Sequence, residues 1–456
     1  MRFKGTLVLL VVFAVLGGYV YYSDFYNQEE RQKQESAKKR LFGDEAKDVS
    51  EISLEYEGRS VTAVRKGESE WEITSPSGLE ADAETWEQLA SSFVGIQKNE
   101  VVSAQKTDLA PYGLDKPGIA VKSKLKSGAT PGILIGSENP KKTLNYAKLA
   151  DSDEVFLIST SDSGAFKKSL TDLRNKKVLE FETDNIDSLK ISVPGKPDLE
   201  IQKSGTDWMI VKPVQGPADA SEVTSLLSAI QFSRTSSFAD DKMDARASGT
   251  DTPSAKITLH DQKASTDRTL LFGKSPEKGK YYAKDASRQP IFILASEIYD
   301  KTQRPLLDWR DKTIVRLSPT GTTTLDEIDI VRGAERVSLK KTGDEWAASD
   351  GRKVQQGKVL DMLSAIQSEQ ATSIVDSQAG PVSYGLEKPR LEVVLREKGK
   401  EVATLKFGRD SQNPAGVYLK SPLPTIVTVK KDLYDKVNVQ WSDLLEAQPG
   451  PETPPK

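Results

Sequence analysis

The stretch Tyr112-Gly113-Leu114-Asp115-Lys116-Pro117 decides how the chain is organised, because it returns as Tyr384-Gly385-Leu386-Glu387-Lys388-Pro389. Midway between them, Ser248-Gly249-Thr250-Asp251-Thr252-Pro253 keeps the glycine, an acidic residue and the proline. The three prolines are 136 residues apart. Glycine permits positive φ in a turn, and proline fixes the entry into the following strand. We therefore expect the same turn to occur three times.

Other landmarks recur at nearly the same spacing. A period of about 136 residues has the size of a domain and is too long for a solenoid repeat. The 456-residue chain therefore predicts three tandem repeat units, at 49–183, 184–320 and 321–447. The recurring residues are Trp71, Trp208 and Trp346; Gly136, Gly273 and Gly408, each after an apolar run; Tyr146, Tyr282 and Tyr418; and Lys148, Lys284 and Lys420.

Each unit is predicted to be α+β. A helix with apolar residues at i, i+3, i+4 and i+7 follows each Trp, and Asp82 and Asp219 are the expected N-caps of the first two. Most of the remaining sequence alternates with period two, as at Ile119, Val121 and Leu125. We expect a mainly antiparallel sheet with helices on one face and water on the other. A last helix, such as 164–174 or 296–309, is predicted to end at Leu173-Arg174, Trp309-Arg310 and Trp441-Ser442.

The N terminus predicts a membrane anchor. Arg2 and Lys4 precede the uncharged segment 6–22, whose far end is rich in tyrosine. At 1.5 Å per residue the segment is about 26 Å long, near the lower limit for a bilayer core. A cleaved signal peptide is the alternative, but no convincing small-x-small site follows the apolar run. We expect a retained N-terminal transmembrane helix in an anchor at 1–26, with the body outside the cytoplasm because basic residues stay inside.

The segments on either side of the repeats are predicted to be solvated. Residues 27–48 are dense in charges of both signs, which is typical of a charged stalk. Residues 448–456 are rich in proline and predict a disordered tail.

Composition excludes several classes of function. The chain has no Cys and one His, which removes thiol catalysis, iron–sulfur clusters and multi-His metal sites. Lys and Arg number 64 against 67 Asp and Glu, and the net charge of -3 gives no reason to expect a nucleic acid partner. The sequence also lacks phosphate-binding glycine loops and HExxH helices. We predict no catalytic residue, no metal site and no cofactor.

The repeated turns are the candidate interaction loops. Glycine and proline most often mark turns. A structural turn is therefore the favoured interpretation, and a partner-binding loop is the alternative. The candidate residues are Tyr112, Gly113, Leu114, Lys116, Tyr384, Gly385, Leu386 and Lys388.

Three other patterns also have structural interpretations that we favour. His260 has Lys124 and Arg396 at the equivalent positions of the other units, which indicates an outward strand position rather than a general base. Acidic pairs at Asp151/Asp153 and Asp240-Asp241 suit surface loops. The three repeated tryptophans are expected to be buried, although an exposed set would form an aromatic groove.

With the anchor, the triple unit, the Tyr-Gly-Leu-acid-Lys-Pro turn and the apolar-Gly then Tyr-x-Lys pattern, the chain resembles a bacterial family known only as a domain of unknown function (number 4340). The resemblance covers residues 50–445, and the middle copy departs from it at Ser248 and Thr250. It implies a single-pass envelope protein with tandem domains, often encoded beside a gliding-motility-type ABC transporter and its auxiliary membrane protein. It implies no catalytic residues.

These observations favour a non-enzymatic scaffold or accessory subunit of an ABC-transporter-type assembly. The expected location is the bacterial inner membrane, with the C-terminal body in the periplasm or outside the cell. The expected partners are the membrane and integral-membrane transporter subunits. Two alternatives remain open: a hydrolase of envelope glycans acting through a carboxylate pair, and a module that binds glycan or peptide.

Overall fold

A computed structural model describes residues 12–13, 15–19, 21, 39–239, 243–317, 321–376 and 379–446. Most of the predicted anchor and of the predicted stalk, and the predicted tail, lie outside these residues. Residues 12–13, 15–19 and 21 are helical. Among the described residues, no helix combines the length and apolar character needed to cross a membrane.

The chain forms two compact units. The first comprises Met1–Lys177 with Arg234–Phe238, and the second comprises Val178–Ser233 with Ala239–Lys456. The first unit contains one complete sheet, and the second contains the cores of the other two repeats.

The sheet of the first unit runs in the order β3-β2-β1-β5-β6-β7-β8-β4, and every pairing is antiparallel. One face is covered by helix α1, whose N-cap Asp82 accepts a hydrogen bond from the Thr85 amide at 2.9 Å. Trp86, Leu89 and Phe93 on this helix are fully buried against the sheet. The elements are β1 Val49–Tyr56, β2 Arg59–Arg65, β3 Trp71–Ser75, α1 Ala83–Gly95, β4 Glu100–Ser103, β5 Ile119–Leu125, β6 Gly132–Glu138, β7 Leu144–Leu149, β8 Val155–Ser159, α2 Thr160–Ala165 and α3 Leu170–Leu173.

The second repeat follows the same plan. Its helix Ala220–Gln231 begins at the N-cap Asp219, as predicted, and buries Val223, Leu226, Leu227 and Ile230. The elements are β9 Ile186–Ser192, β10 Leu199–Ser204, β11 Asp207–Lys212, β12 Gly216–Pro217, α4 Ala220–Gln231, β13 Ser237–Phe238, α5 Ala245–Ser248, β14 Ala255–Asp261, β15 Thr266–Phe272, β16 Lys280–Asp285, β17 Phe292–Ala295, α6 Glu297–Gln303 and α7 Leu306–Trp309. Eight of these strands run β12-β11-β10-β9-β14-β15-β16-β17.

The third repeat repeats the order once more, as β20-β19-β18-β22-β23-β24-β25-β21. Its elements are β18 Glu327–Arg332, β19 Glu335–Thr342, β20 Glu345–Ala348, α8 Gln356–Ser368, β21 Ser373–Val375, β22 Leu391–Glu397, β23 Lys400–Gln412, β24 Ala415–Lys420, β25 Ile426–Val429, α9 Lys431–Val437 and α10 Trp441–Leu444. The prediction of three α+β repeats with mainly antiparallel sheets is therefore confirmed.

The structure places the start of the first unit earlier than residue 49. Phe42 lies within the predicted stalk because its neighbours in the sequence are charged. In the structure it is buried and stacks on Phe93, with ring centroids 4.5 Å apart. The Leu41 amide donates to the Ile96 carbonyl at 2.9 Å, and the Lys98 amide donates to the Lys39 carbonyl at 2.9 Å. Residues 39–48 thus belong to the first fold.

The last helix of each repeat also differs from the prediction. It is broken into two short helices, and the second starts at an extended N-cap residue, Ser169 or Pro305. The equivalence of Trp441-Ser442 with Trp309-Arg310 is wrong by three residues. The carbonyls of Trp309 and Leu444 make the same contact, each accepting from the residue that caps the main helix.

Candidate functional site

The candidate turn of the first repeat is a tight structural element. Ala110–Tyr112 forms one 3-10 turn, and Gly113 follows in the left-handed region at φ 64°. Leu114 is 2% exposed, and the Tyr112 ring lies 4.9 Å from the Tyr146 ring. The residues that give the motif its pattern thus face the fold.

The turn also explains the repeated glycine at the end of the apolar run. A Cβ on Gly136 would lie 2.2 Å from the carbonyl oxygen of Tyr112, where a side chain cannot fit. The same approach occurs at 2.1 Å between Gly408 and Tyr384 in the third repeat. Two motifs that are more than twenty residues apart in the sequence therefore form one contact.

The middle copy keeps this geometry with different side chains. Gly249 has φ 76°, and a Cβ on Gly273 would lie 2.2 Å from the Ser248 carbonyl oxygen. Ser248 and Thr250 are buried, their hydroxyls lie 3.1 Å apart, and Ser248 also donates to the Ala245 carbonyl. A short hydrogen-bonded pair thus replaces the Tyr and Leu of the outer copies.

Of the eight candidate loop residues, Lys116 and Lys388 are exposed. Leu114, Tyr384 and Leu386 are buried, and the other three are half-buried. Each outer turn thus exposes one lysine, and its Tyr, Gly and Leu are buried or half-buried in the fold.

The repeated tryptophans are buried, as expected. Trp71 donates its indole N–H to Glu87 at 3.2 Å and lies beneath the guanidinium of Arg65, 4.5 Å from the ring centroid. Trp208 is 7% exposed and Trp346 is 2% exposed. These residues therefore do not form an exposed aromatic groove.

His260 lies at an outward position of β14, in an exposed pair with Asp267 at 2.9 Å. The hydrogen bond that the Asp267 carboxylate accepts from the His260 ring raises the pKa of His260. The register pairs His260 with Ser188, as it pairs Arg396 with Glu327 and Lys124 with Glu51. His260 thus occupies the strand position that the sequence indicated.

Of the two acidic pairs, one lies among the residues that the structure describes. Asp151 and Asp153 are exposed in the turn after β7. Asp240-Asp241 lies outside the described residues. Among the residues that the structure covers, no three His, Asp or Glu side chains are grouped to hold a metal ion.

Two buried arginines make contacts that sequence reasoning missed. Arg310 is 4% exposed, and its Nη1 lies 2.6 Å from both carboxylate oxygens of Asp376. Arg174 is 2% exposed, and its guanidinium lies 3.7 Å from the centroid of the Phe238 ring. Arg310 does not pair locally, because its partner is 66 residues away in the sequence. The recurrence of Arg after Leu173 and Trp309 was the available signal.

A buried carboxylate occupies the outer face of the third sheet. Asp329 on β18 accepts from Arg336 at 2.6 Å, from Ser338 at 2.5 Å and from Arg396. Burial alone would raise its pKa, but these hydrogen bonds outweigh burial and lower the pKa from 3.8 to about 2. The site is saturated by its own partners, which makes it a structural ion cluster.

The family to which the chain is similar matches it twice, and the two matches are offset by the length of one repeat. The sequence model of the family described as a domain of unknown function (DUF4340) matches residues 71–252 and again residues 208–382. The two matches begin at Trp71 and Trp208, which are equivalent residues of successive repeats. No curated protein and no solved structure matches the chain. Because the two matches together cover well over half of its length, the chain belongs to the DUF4340 family.

Proposed function

We propose that this protein is a non-enzymatic, membrane-anchored envelope scaffold, or accessory subunit, of an ABC-transporter-type assembly. Its three repeats would present three different surfaces to the other components. The proposal extends to the N-terminal transmembrane helix at 6–22, to a body outside the cytoplasm and to integral-membrane transporter subunits as partners.

One observation carries the proposal: what recurs among the repeats is internal, and what diverges is on the outer face. The recurring Trp, Gly and Tyr residues support packing. By register, Ser53, Lys190 and Asp329 are equivalent positions on the outer faces of the three central strands. A hydroxyl, a cation and a buried anion at one position gather different neighbours around them, so each repeat has a distinct outer face on a common frame.

The surroundings of these positions increase the difference. Ser53 shares a neutral hydrogen bond with Thr62 at 2.7 Å. The Lys190 ammonium lies 2.8 Å from both Asp198 and Glu200, and the hydrogen bonds that it donates to these two carboxylates raise its pKa. Electrostatic complementarity is a source of partner specificity. Three unlike faces in one chain therefore suit a protein that holds several different components in order.

The anchor supplies a direct test of location. The double substitution Leu10→Arg and Phe13→Arg should release the chain from the membrane fraction, because each arginine near the bilayer centre costs about 2.5–3.5 kcal/mol. Gln32→Arg with Gln34→Arg adds the same charge outside segment 6–22 and should leave the chain in the membrane after alkaline extraction. Equal extraction of the two variants would refute the anchor.

Affinity capture tests the partner. The tagged full-length chain, extracted from native membranes in mild detergent, should bring down a multi-spanning membrane subunit in a fixed ratio. The released double variant provides the matched control and should lose this partner. Recovery of the wild-type chain alone, or glycan hydrolysis by the purified chain, would contradict the proposal.

A further inference from the structure

The middle repeat contains a pocket of about 490 Å³ between β9, β10 and residues 302–309. Eight of its twelve lining residues are apolar. Ile191, Leu199 and Trp309 are the buried ones, and Pro197 and Pro305 are exposed at its edge. Small-molecule sites typically enclose about 300–1,000 Å³ with mostly apolar walls, so the pocket has the size and lining of such a site.

The other two repeats have a larger side chain at the position that matters. Val193 lines the pocket, and its equivalents by strand register are Tyr56 and Arg332. Arg332 donates to the Val439 carbonyl and lies 3.3 Å from the Gln440 side-chain oxygen. Val439 and Gln440 lie directly before α10. They are therefore equivalent to Arg304 and Pro305, which lie directly before α7 and line the pocket.

Arg332 therefore spans the corresponding space in the third repeat. In the first repeat, Tyr56 and Leu170 both pack against the core. Valine is shorter than either tyrosine or arginine. The pocket is thus a property of the middle sequence, on a fold that accepts a larger side chain at the same place.

The charges at the pocket have one sign. Lys196 and Arg304 are the charged lining residues, and no Asp or Glu lines it. Arg304 pairs with Glu222 at 2.5 Å. The Lys196 ammonium contacts the side-chain oxygen of Gln303 at 3.1 Å and its carbonyl at 3.4 Å. Within the described residues Lys196 thus has neutral partners, and its charge is available to an anion.

We propose that this pocket binds an acyl chain that ends in a carboxylate. The chain would lie against the apolar walls, where burial is favourable in proportion to the apolar area removed from water. The carboxylate would accept a charge-assisted hydrogen bond from Lys196. A strongly polar ligand would find few hydrogen-bonding groups, since Thr302 and Gln303 are the only uncharged polar lining residues.

Photolabelling of the full-length chain in phosphatidylcholine nanodiscs tests this site. The probe is decanoic acid with a diazirine on its chain, and labelled peptides are mapped by mass spectrometry. We expect saturable labelling in residues 191–199 or 302–309 that excess decanoate displaces. The same probe as decanol should label these peptides at least tenfold less.

Two variants separate binding from folding. Val193→Arg should reduce pocket labelling at least tenfold and leave the unfolding temperature within a few degrees, because the third repeat accommodates arginine at this position. Val382→Arg makes the same change at an exposed valine and should label like the wild type. Lys196→Gln should weaken decanoate labelling and leave decanol labelling unchanged.

Three outcomes overturn the proposal. If no saturable label appears in these segments, or if Val193→Arg and Val382→Arg label equally, the pocket is not a binding site. If decanol labels the pocket as strongly as decanoate, the assignment of a carboxylate ligand is wrong.

Discussion

Replacement of Gly136 by alanine should destabilise the first unit through one defined contact. The new Cβ would lie 2.2 Å from the Tyr112 carbonyl oxygen and 3.0 Å from the Gly113 carbonyl carbon, whereas an ordinary contact is 3.4 Å or longer. Both atoms belong to the backbone of a turn. Rotation of a side chain therefore cannot relieve the overlap, and the turn has to move away from β6 by more than 1 Å.

The expected cost lies at the upper end of the range for overpacking. Extra volume in a packed site costs about 1–3 kcal/mol when side chains can adjust, so we expect about 3 kcal/mol here. For a unit of this size, each kcal/mol lowers the unfolding temperature by a few degrees. The first unit should therefore melt roughly 10 °C lower.

Calorimetry of the full-length chain provides the assay, because it resolves the transitions of separate units. Gly118→Ala is the matched control, since a Cβ at Gly118 meets no atom within 4 Å. Gly273→Ala and Gly408→Ala should produce the same loss in the second unit. If Gly136→Ala melts like Gly118→Ala, the contact between turn and strand does not have the structural role that we assign to it.

Three further predictions concern charged residues. Because the pKa of Asp329 is lowered to about 2, its contribution is present above the unfolded pKa of 3.8 and is lost as the pH falls through the folded value. Asp329→Asn should cost about 2 kcal/mol at pH 7, measured by denaturant unfolding, and should flatten the acid limb of the stability curve; an unchanged limb would contradict the ion cluster. Arg310→Gln should lower the free energy of unfolding by about 2–4 kcal/mol, because it leaves Asp376 without its buried partner. Lys431→Gln, at an exposed ion pair, should lower it by less than about 1 kcal/mol. Equal losses in the two variants would refute this ranking. His260→Lys should preserve the fold and partner capture, and loss of capture with intact folding would indicate a specific role for the imidazole.

The sequence allowed the fold to be predicted because its signals were local and repeated. The amphipathic helices, their Asp82 and Asp219 caps and the alternating strands each depend on spacing within a few turns or strands of the chain. The triplication strengthened these signals, since the same pattern had to satisfy the same core three times.

Features that depend on distant parts of the chain were not predictable. Phe42 sits among charges in the sequence, and only its contact with Phe93 places it in a core. Arg310 pairs with Asp376, and no pattern in the sequence around either residue predicts this contact. In the third repeat, the sequence suggested Trp441 as the equivalent of Trp309 because both are tryptophan. The backbone hydrogen bonds show that Leu444 is the equivalent residue.

The candidate loops illustrate the same limit from the other side. The Tyr-Gly-Leu pattern marked a recurrent feature correctly, but the sequence alone could not distinguish a binding loop from a packing turn. The approach of Tyr112 to Gly136 identifies the packing, and it joins positions on two different elements. The pocket beside Val193 could not be predicted for the same reason. Val193 becomes informative only when the strand register identifies Tyr56 and Arg332 as its larger equivalents.

The scaffold proposal depends most directly on whether the three outer faces contact different components. A photo-crosslinking amino acid introduced in living cells at Ala120, Lys256 or Glu392 probes the equivalent outward position of each repeat. The account predicts crosslinks to envelope or transporter proteins, with a different pattern from each position. Identical patterns from all three positions, or crosslinks to no protein from any of them, would contradict it.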